Sequence, residues 1–160
     1  MTLLVMSLKI LKHDIWDIWS QGFTVCVLTN GDVRRDGLAV MGAGLAKQAV
    51  DRKPNIQKKL ATALQQFGNT PHWFPAERMI SFPTKHNWRD DSDPKLIRKS
   101  CLTLVNMVNF LIPDIRKPMK NIVFLPIPGI GLGRLSRDVV IPILEQEIAE
   151  CDKIVIVEKP

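Results

Sequence analysis

A chain of 160 residues fits one ordinary domain and is too short for two independent cores. With 46% apolar residues it can bury a full hydrophobic core. A net charge of +6 favours anionic partners (nucleotides, nucleic acid or phosphate-bearing substrates) by a modest edge over simple solubility.

The opening Met1-Thr-Leu-Leu-Val-Met-Ser-Leu8 lacks the basic start and small-residue cleavage site of a secretory leader. Lys9, Lys12 and Asp14 end its apolar run early, and no stretch approaches the roughly 20 apolar residues of a membrane span. The chain is therefore expected to be soluble and cytoplasmic. Leu8–Lys12 and Phe23–Leu28 read as strands, the second nearly all apolar and hence central. Cys26 lies in that strand, far from Cys101 and Cys151; an odd, scattered set without Cys-x-x-Cys argues against a disulfide framework and a zinc site, and suits a reducing compartment.

Gly42–Arg52 reads as a helix. After Pro54 a second helix, with Ile56, Leu60, Leu64 and Phe67 on one face, should run to Gly68. Met79–Phe82 is a strand stopped by Pro83. Asp93 and Pro94 supply the N-cap and first position of a helix whose Leu96, Ile97, Cys101, Leu104, Val105, Val108 and Leu111 keep helical spacing until Pro113. Asn121–Leu125 is a strand ending at Pro126, Ser136 caps a helix to about Glu150, and Lys153–Val157 is the last strand. With no repeat, linker or low-complexity tract, residues 1–160 form one domain of class α/β. Its sheet should be mixed and mostly parallel, with helices on both faces.

In open α/β sheets ligands bind beyond the carboxyl ends of the strands. Two glycine-rich loops fall there: Met41-Gly-Ala-Gly-Leu-Ala46 and Pro128-Gly-Ile-Gly-Leu-Gly133. Small residues let backbone N–H groups approach phosphate oxygens, and a helix N-terminus adds partial positive charge. Together the loops could clasp a diphosphate from both sides; each alone reads equally well as a tight turn. No Gly-Lys-Ser/Thr follows either, which excludes a Walker A loop. Lys47 stands where a dinucleotide fingerprint needs a small residue, and Asp36-Gly-Leu-Ala39 interrupts the direct strand-to-helix turn.

The order of these motifs resembles the macro domain family over nearly the whole chain. It comprises His13-Asp14-Ile15 after the first strand, Thr29-Asn30-Gly31 after the second, and the two glycine loops. Phe82-Pro-Thr-Lys-His-Asn-Trp-Arg89 is similar to the branch holding the DarG-type DNA-ADP-ribosyl glycohydrolases of toxin–antitoxin systems and cellular relatives that free glutamate from ADP-ribose. The resemblance implies a three-layer α/β/α macro fold and an ADP-ribose site. Asp14 would accept from the adenine amino group with Ile15 nearby, and Asn30 would bond the distal ribose. Gly42, Ala43, Gly44 and Leu45 would hold that ribose and one phosphate; Gly129, Ile130, Gly131, Leu132 and Gly133 would hold the diphosphate from the other side. Plainer roles are N-cap of a short turn at Ile15–Trp19 for Asp14 and a turn residue before Gly31 for Asn30.

Lys85 is the implied catalytic group, in a hydrolysis that needs no metal or cofactor. An amine can attack the anomeric carbon or stabilise charge there, provided its pKa falls from roughly 10.4. A solvated surface lysine is the plain alternative. Some lysine-using relatives carry a second, acidic catalytic group where Gly133 stands. Its absence speaks against deglutamylation more than against hydrolysis; Asp90 and Asp91 are candidate local acids, although their plainer role, and the favoured one, is to solvate the loop before Asp93. Trp88 and Arg89, with His86, could contact the modified target by stacking and phosphate binding; otherwise Trp88 packs on a helix and Arg89 pairs with an Asp. Arg34, Arg35, Lys53, Lys58 and Lys59 read either as an extension of a basic rim or as only a solvated face. The expected partner is ADP-ribose or an ADP-ribosylated macromolecule, DNA among them, bound by a monomer away from any membrane. Competing functions are a non-catalytic ADP-ribose reader, an ADP-ribose 1″-phosphate phosphatase, and a nucleic-acid binder without a nucleotide pocket.

Overall fold

The computed structural model describes residues 8–113 and 122–160; the apolar start before Leu8 and the proposed strand position Asn121 lie outside them. The elements in chain order are β1 (Ile10–Lys12), α1 (Ile15–Ser20), β2 (Thr24–Thr29), α2 (Gly44–Arg52), α3 (Ile56–Phe67), β3 (His72–Phe74), β4 (Met79–Pro83), α4 (Pro94–Asn106), β5 (Val123–Pro126), α5 (Arg137–Glu147) and β6 (Ile154–Glu158). They build one six-stranded sheet in the order β1-β6-β5-β2-β4-β3. All neighbours are parallel except β3, which runs antiparallel to β4 at the edge.

Strand side chains alternate between faces, and the buried residues divide accordingly. Val25, Val27, Met79 and Phe124 point into a core with α1, α2 and α3; Cys26, Ile80, Phe82, Val123 and Leu125 point into another with α4 and α5. The sheet is thus the middle of three layers. Burial pushes the Cys101 thiol up to about 12, which fits a small apolar filler between sheet and helix.

From β2 the chain crosses to β4 on one side, then returns past β2 to β5 on the other. The carboxyl ends of β2 and β5 therefore flank the point where the strand order reverses, the place such sheets present to ligands. Because β1, β2, β4, β5 and β6 are parallel, Asp14 and the loops after β2, β4 and β5 all leave the same edge.

Some local expectations fail for definable reasons. Phe67 is exposed rather than on the buried face, because α3 ends there and Gly68 turns the chain away at φ 85°. Leu111 is also exposed. The last turn of α4 widens into a π-turn over Met107–Leu111, with the Ile112 amide donating to the Met107 carbonyl at 2.8 Å, and the extra residue rotates Leu111 off the apolar stripe. Ser136 occupies the cap position of α5, but its side chain makes no capping hydrogen bond. The short helix α1 and edge strand β3 add to the elements read from sequence.

Candidate functional site

The loop after β2 enters α2 through Ala43, which offers no side-chain cap. The first amides of the helix are thus left for another acceptor. Gly44 sits at φ 58°, a left-handed conformation that side chains rarely adopt. Within the loop after β5, Gly131–Gly133 form a single 3₁₀ turn. Gly129 is at φ 82°, and a Cβ there would lie 2.7 Å from Ile97 Cδ1 and 2.9 Å from Leu135 Cδ1. The loops touch: Leu132 Cδ1 lies 3.1 Å from where a Cβ on Gly44 would stand.

Lys85 follows β4 and reaches the same place. Its Nζ donates to the Leu132 carbonyl at 3.1 Å and more weakly to the Trp88 carbonyl at 3.4 Å. The amine is therefore attached to the middle of the second glycine loop and is not a free surface cation. Two further ties run alongside. The Ser92 amide donates to the Gly133 carbonyl at 2.9 Å, and the Arg134 guanidinium pairs with Asp91 at 3.1 Å. Asp91 is thus bound to the loop rather than merely solvating its own.

Asp14 caps α1: its Oδ1 accepts from the Trp16 amide at 2.7 Å, and its second oxygen has no partner among the described residues. Ile15 is buried beneath it. Asn30 closes its own loop, Oδ1 accepting from the Asp32 amide at 3.0 Å and Nδ2 donating to the Val40 carbonyl at 3.1 Å. Both side chains thus do the plainer job that sequence offered them. Trp88 is half-exposed, at 50%, and the Arg89 guanidinium lies 4.9 Å from its ring centroid, with no Asp paired to it among the described residues. His86 Nε2 donates to Asp93 Oδ2 at 2.8 Å. That bond, with help from the Lys95 amide, holds the Asp93 carboxyl below its ordinary value.

Comparison with known proteins tests what this arrangement belongs to. No family model and no curated protein matches the sequence. Solved structures do match. The macrodomain of Thermus aquaticus DarG superposes with TM-score 0.72 at 20% identity, covering 96% of this chain and 98% of that one. Thermosipho africanus DarTG in complex with ADP-ribose gives 0.72 and 20%, over 96% of this chain and 42% of that one. The macrodomain of Mycobacterium tuberculosis DarG gives 0.64 and 21%, over 86% and 89%. The fold is a macro domain.

Within this macro domain, Gly133 is fixed by space rather than by backbone angle. A Cβ there would lie 2.3 Å from Ser92 Oγ and 3.1 Å from Ser92 Cβ, so no acidic side chain can start from it. The Arg34, Arg35, Lys53, Lys58, Lys59 rim is partly neutralised: Arg34 pairs with Asp36, and Lys59 with the buried Glu77 at 2.6 Å. No three His, Cys, Asp or Glu gather to hold a metal among the described residues, and no described helix is long and apolar enough to cross a membrane.

Three residues of the site escaped the sequence reading. Asp32 accepts from the Trp88 amide at 2.7 Å and ties the loop after β2 to the lysine loop. Asn69 donates to the Lys85 carbonyl at 2.9 Å. Ser92 is buried against Gly133. Only Asp32 carried a signal, as the residue an Asn30 side chain would cap in a turn.

Proposed function

We propose that this macro domain binds ADP-ribose between the two glycine loops and hydrolyses ADP-ribosyl linkages with Lys85 as the catalytic residue. What carries the reading is the position of the Lys85 amine, 3.1 Å from the Leu132 carbonyl, in a loop whose Leu132 side chain touches the first glycine loop. Thermosipho africanus DarTG, 42% of whose chain this fold matches, is solved in complex with ADP-ribose, which supports the choice of ligand. The free amides of α2 suit a phosphate, and the unpartnered oxygen of Asp14 suits the adenine amino group.

Two routes are open to the lysine. As a free amine it forms a C–N bond to the anomeric carbon while the bond to the leaving group breaks; the leaving atom takes the electron pair and a proton, and water later releases the ribose. As an ammonium it stabilises charge while water attacks directly. Trp88 and Arg89 stand beside Lys85 in sequence with an exposed ring and a cation, which suits a stacked base and a backbone phosphate of modified DNA.

The test uses single-stranded DNA bearing thymidine-linked ADP-ribose, with glutamyl-ADP-ribosylated protein as the second substrate. Lys85→Ala should depress turnover by orders of magnitude while ADP-ribose affinity stays within a few-fold, because the lysine acts mainly in the transition state. A rate that climbs with pH marks amine attack; the opposite slope marks the charged amine. Full activity in Lys85→Ala refutes the assignment. One observation favours a non-catalytic reader: the amine already donates to two carbonyls, as a lysine that only fixes the loop would. Wild-type protein that binds ADP-ribose but cleaves neither substrate decides for that reading.

A further inference from the structure

Ser92 lies between the lysine loop and the second glycine loop, and nothing above gives its hydroxyl a task. The residue is 4% exposed, and its Oγ is buried without a hydrogen-bond partner among the described residues. Such hydroxyls are uncommon, because the lost hydration goes uncompensated. Its amide donates to the Gly133 carbonyl at 2.9 Å, and Asp93 beyond it caps α4. The side chain faces the glycine turn, with Oγ 2.3 Å from the Cβ position of Gly133 and Cβ 3.3 Å from that of Gly129. Lys85 grips the same turn through the Leu132 carbonyl. Leu132 Cδ1 also lies 3.1 Å from the Cβ position of Gly44, which sets the same turn against the first glycine loop.

A donor fixed by its own backbone against a Gly-x-Gly turn, with no acceptor, is placed for an acceptor that arrives with the ligand. We infer that Ser92 is a binding residue, its hydroxyl donating to a phosphoryl oxygen of a nucleoside diphosphate seated on residues 129–133. The inference rests on the ADP-ribose reading above and adds a side-chain donor to the backbone amides proposed to meet the phosphates. A serine of this kind contributes to binding and not to folding, the reverse of a structural serine.

Calorimetric titration of wild type and Ser92→Ala with ADP and with ADP-ribose, beside thermal unfolding without ligand, separates the possibilities. Ser92→Ala should unfold at or above the wild-type temperature, since only an unpartnered hydroxyl is removed. It should bind both ligands more weakly, on the order of tenfold. Unchanged affinity overturns the inference. Weakening confined to ADP-ribose moves the contact to the distal ribose and overturns the phosphoryl assignment. A fall in unfolding temperature that accompanies the loss of affinity makes Ser92 a packing residue. Wild type that binds neither ligand removes the ADP-ribose reading and this inference with it.

Discussion

Gly133→Ala is the sharpest steric test of the site. At this position glycine is not needed for a left-handed backbone, as it is at Gly44 and Gly129. It is needed because an added methyl would meet Ser92 Oγ at 2.3 Å and Ser92 Cβ at 3.1 Å, and Ser92 is itself buried. Rotating the hydroxyl away relieves the first contact and leaves the second, so the turn or α4 must shift. Overpacking of this kind costs about 1–3 kcal/mol. At roughly 2–4 °C per kcal/mol for a domain of this size, the thermal midpoint should fall by several degrees. Removing the offending oxygen should restore most of it: Gly133→Ala with Ser92→Ala leaves the 3.1 Å contact, a few tenths of an ångström tight. Calorimetry on the two single variants and the double variant gives the coupling. A wild-type midpoint in Gly133→Ala, or a double variant no more stable than the single one, would refute the steric account. An acid installed here should do worse than alanine and confer no activity.

Asp14→Asn keeps an N-cap acceptor for the Trp16 amide, so stability should hold while ADP-ribose affinity drops by about 1–3 kcal/mol as the adenine loses its carboxylate; unchanged binding by calorimetry removes Asp14 from the adenine site. Gly44→Glu combines φ 58° with a side chain aimed at Leu132 and a charge at the phosphate, and should abolish binding in a protein that still unfolds cooperatively. Wild-type affinity there would leave the first loop as a turn. Asp93 is held low mainly by His86, so in the folded protein it stays ionised below its unfolded pKa near 4. Its contribution is present above that pKa and is lost as pH falls through the lowered folded value. Asp93→Asn should therefore flatten the acid limb of a stability–pH curve; an unaltered limb would show the pair contributes nothing.

The layering was legible because it rests on periodicity. Val25 and Val27 facing one core and Cys26 the other is the alternation that an apolar central strand announces. The glycine loops were legible by composition and by where strands end. Burial of short polar residues was not. Nothing in the sequence marks Ser92, and only the return of the chain from β5 sets Gly133 against it. The π-turn at Met107–Leu111 was hidden too, since one inserted residue changes which side chains are buried without changing the apolar pattern. At Asp14 and Asn30 sequence offered two jobs apiece, and geometry shows the local one filled at both.

The ties between the lysine loop and the second glycine loop join residues far apart in the chain: Lys85 to Leu132, Ser92 to Gly133, Asp91 to Arg134. They have a consequence for how the protein is made. Domains are synthesised from the N-terminus over seconds, and a ribosome-bound chain halted after α4 would carry Lys85, Asp14 and the first glycine loop. It would still lack β5 and with it the whole opposing half. A truncated or stalled chain would therefore hold Lys85 without the Leu132 carbonyl to which its amine donates in the complete fold.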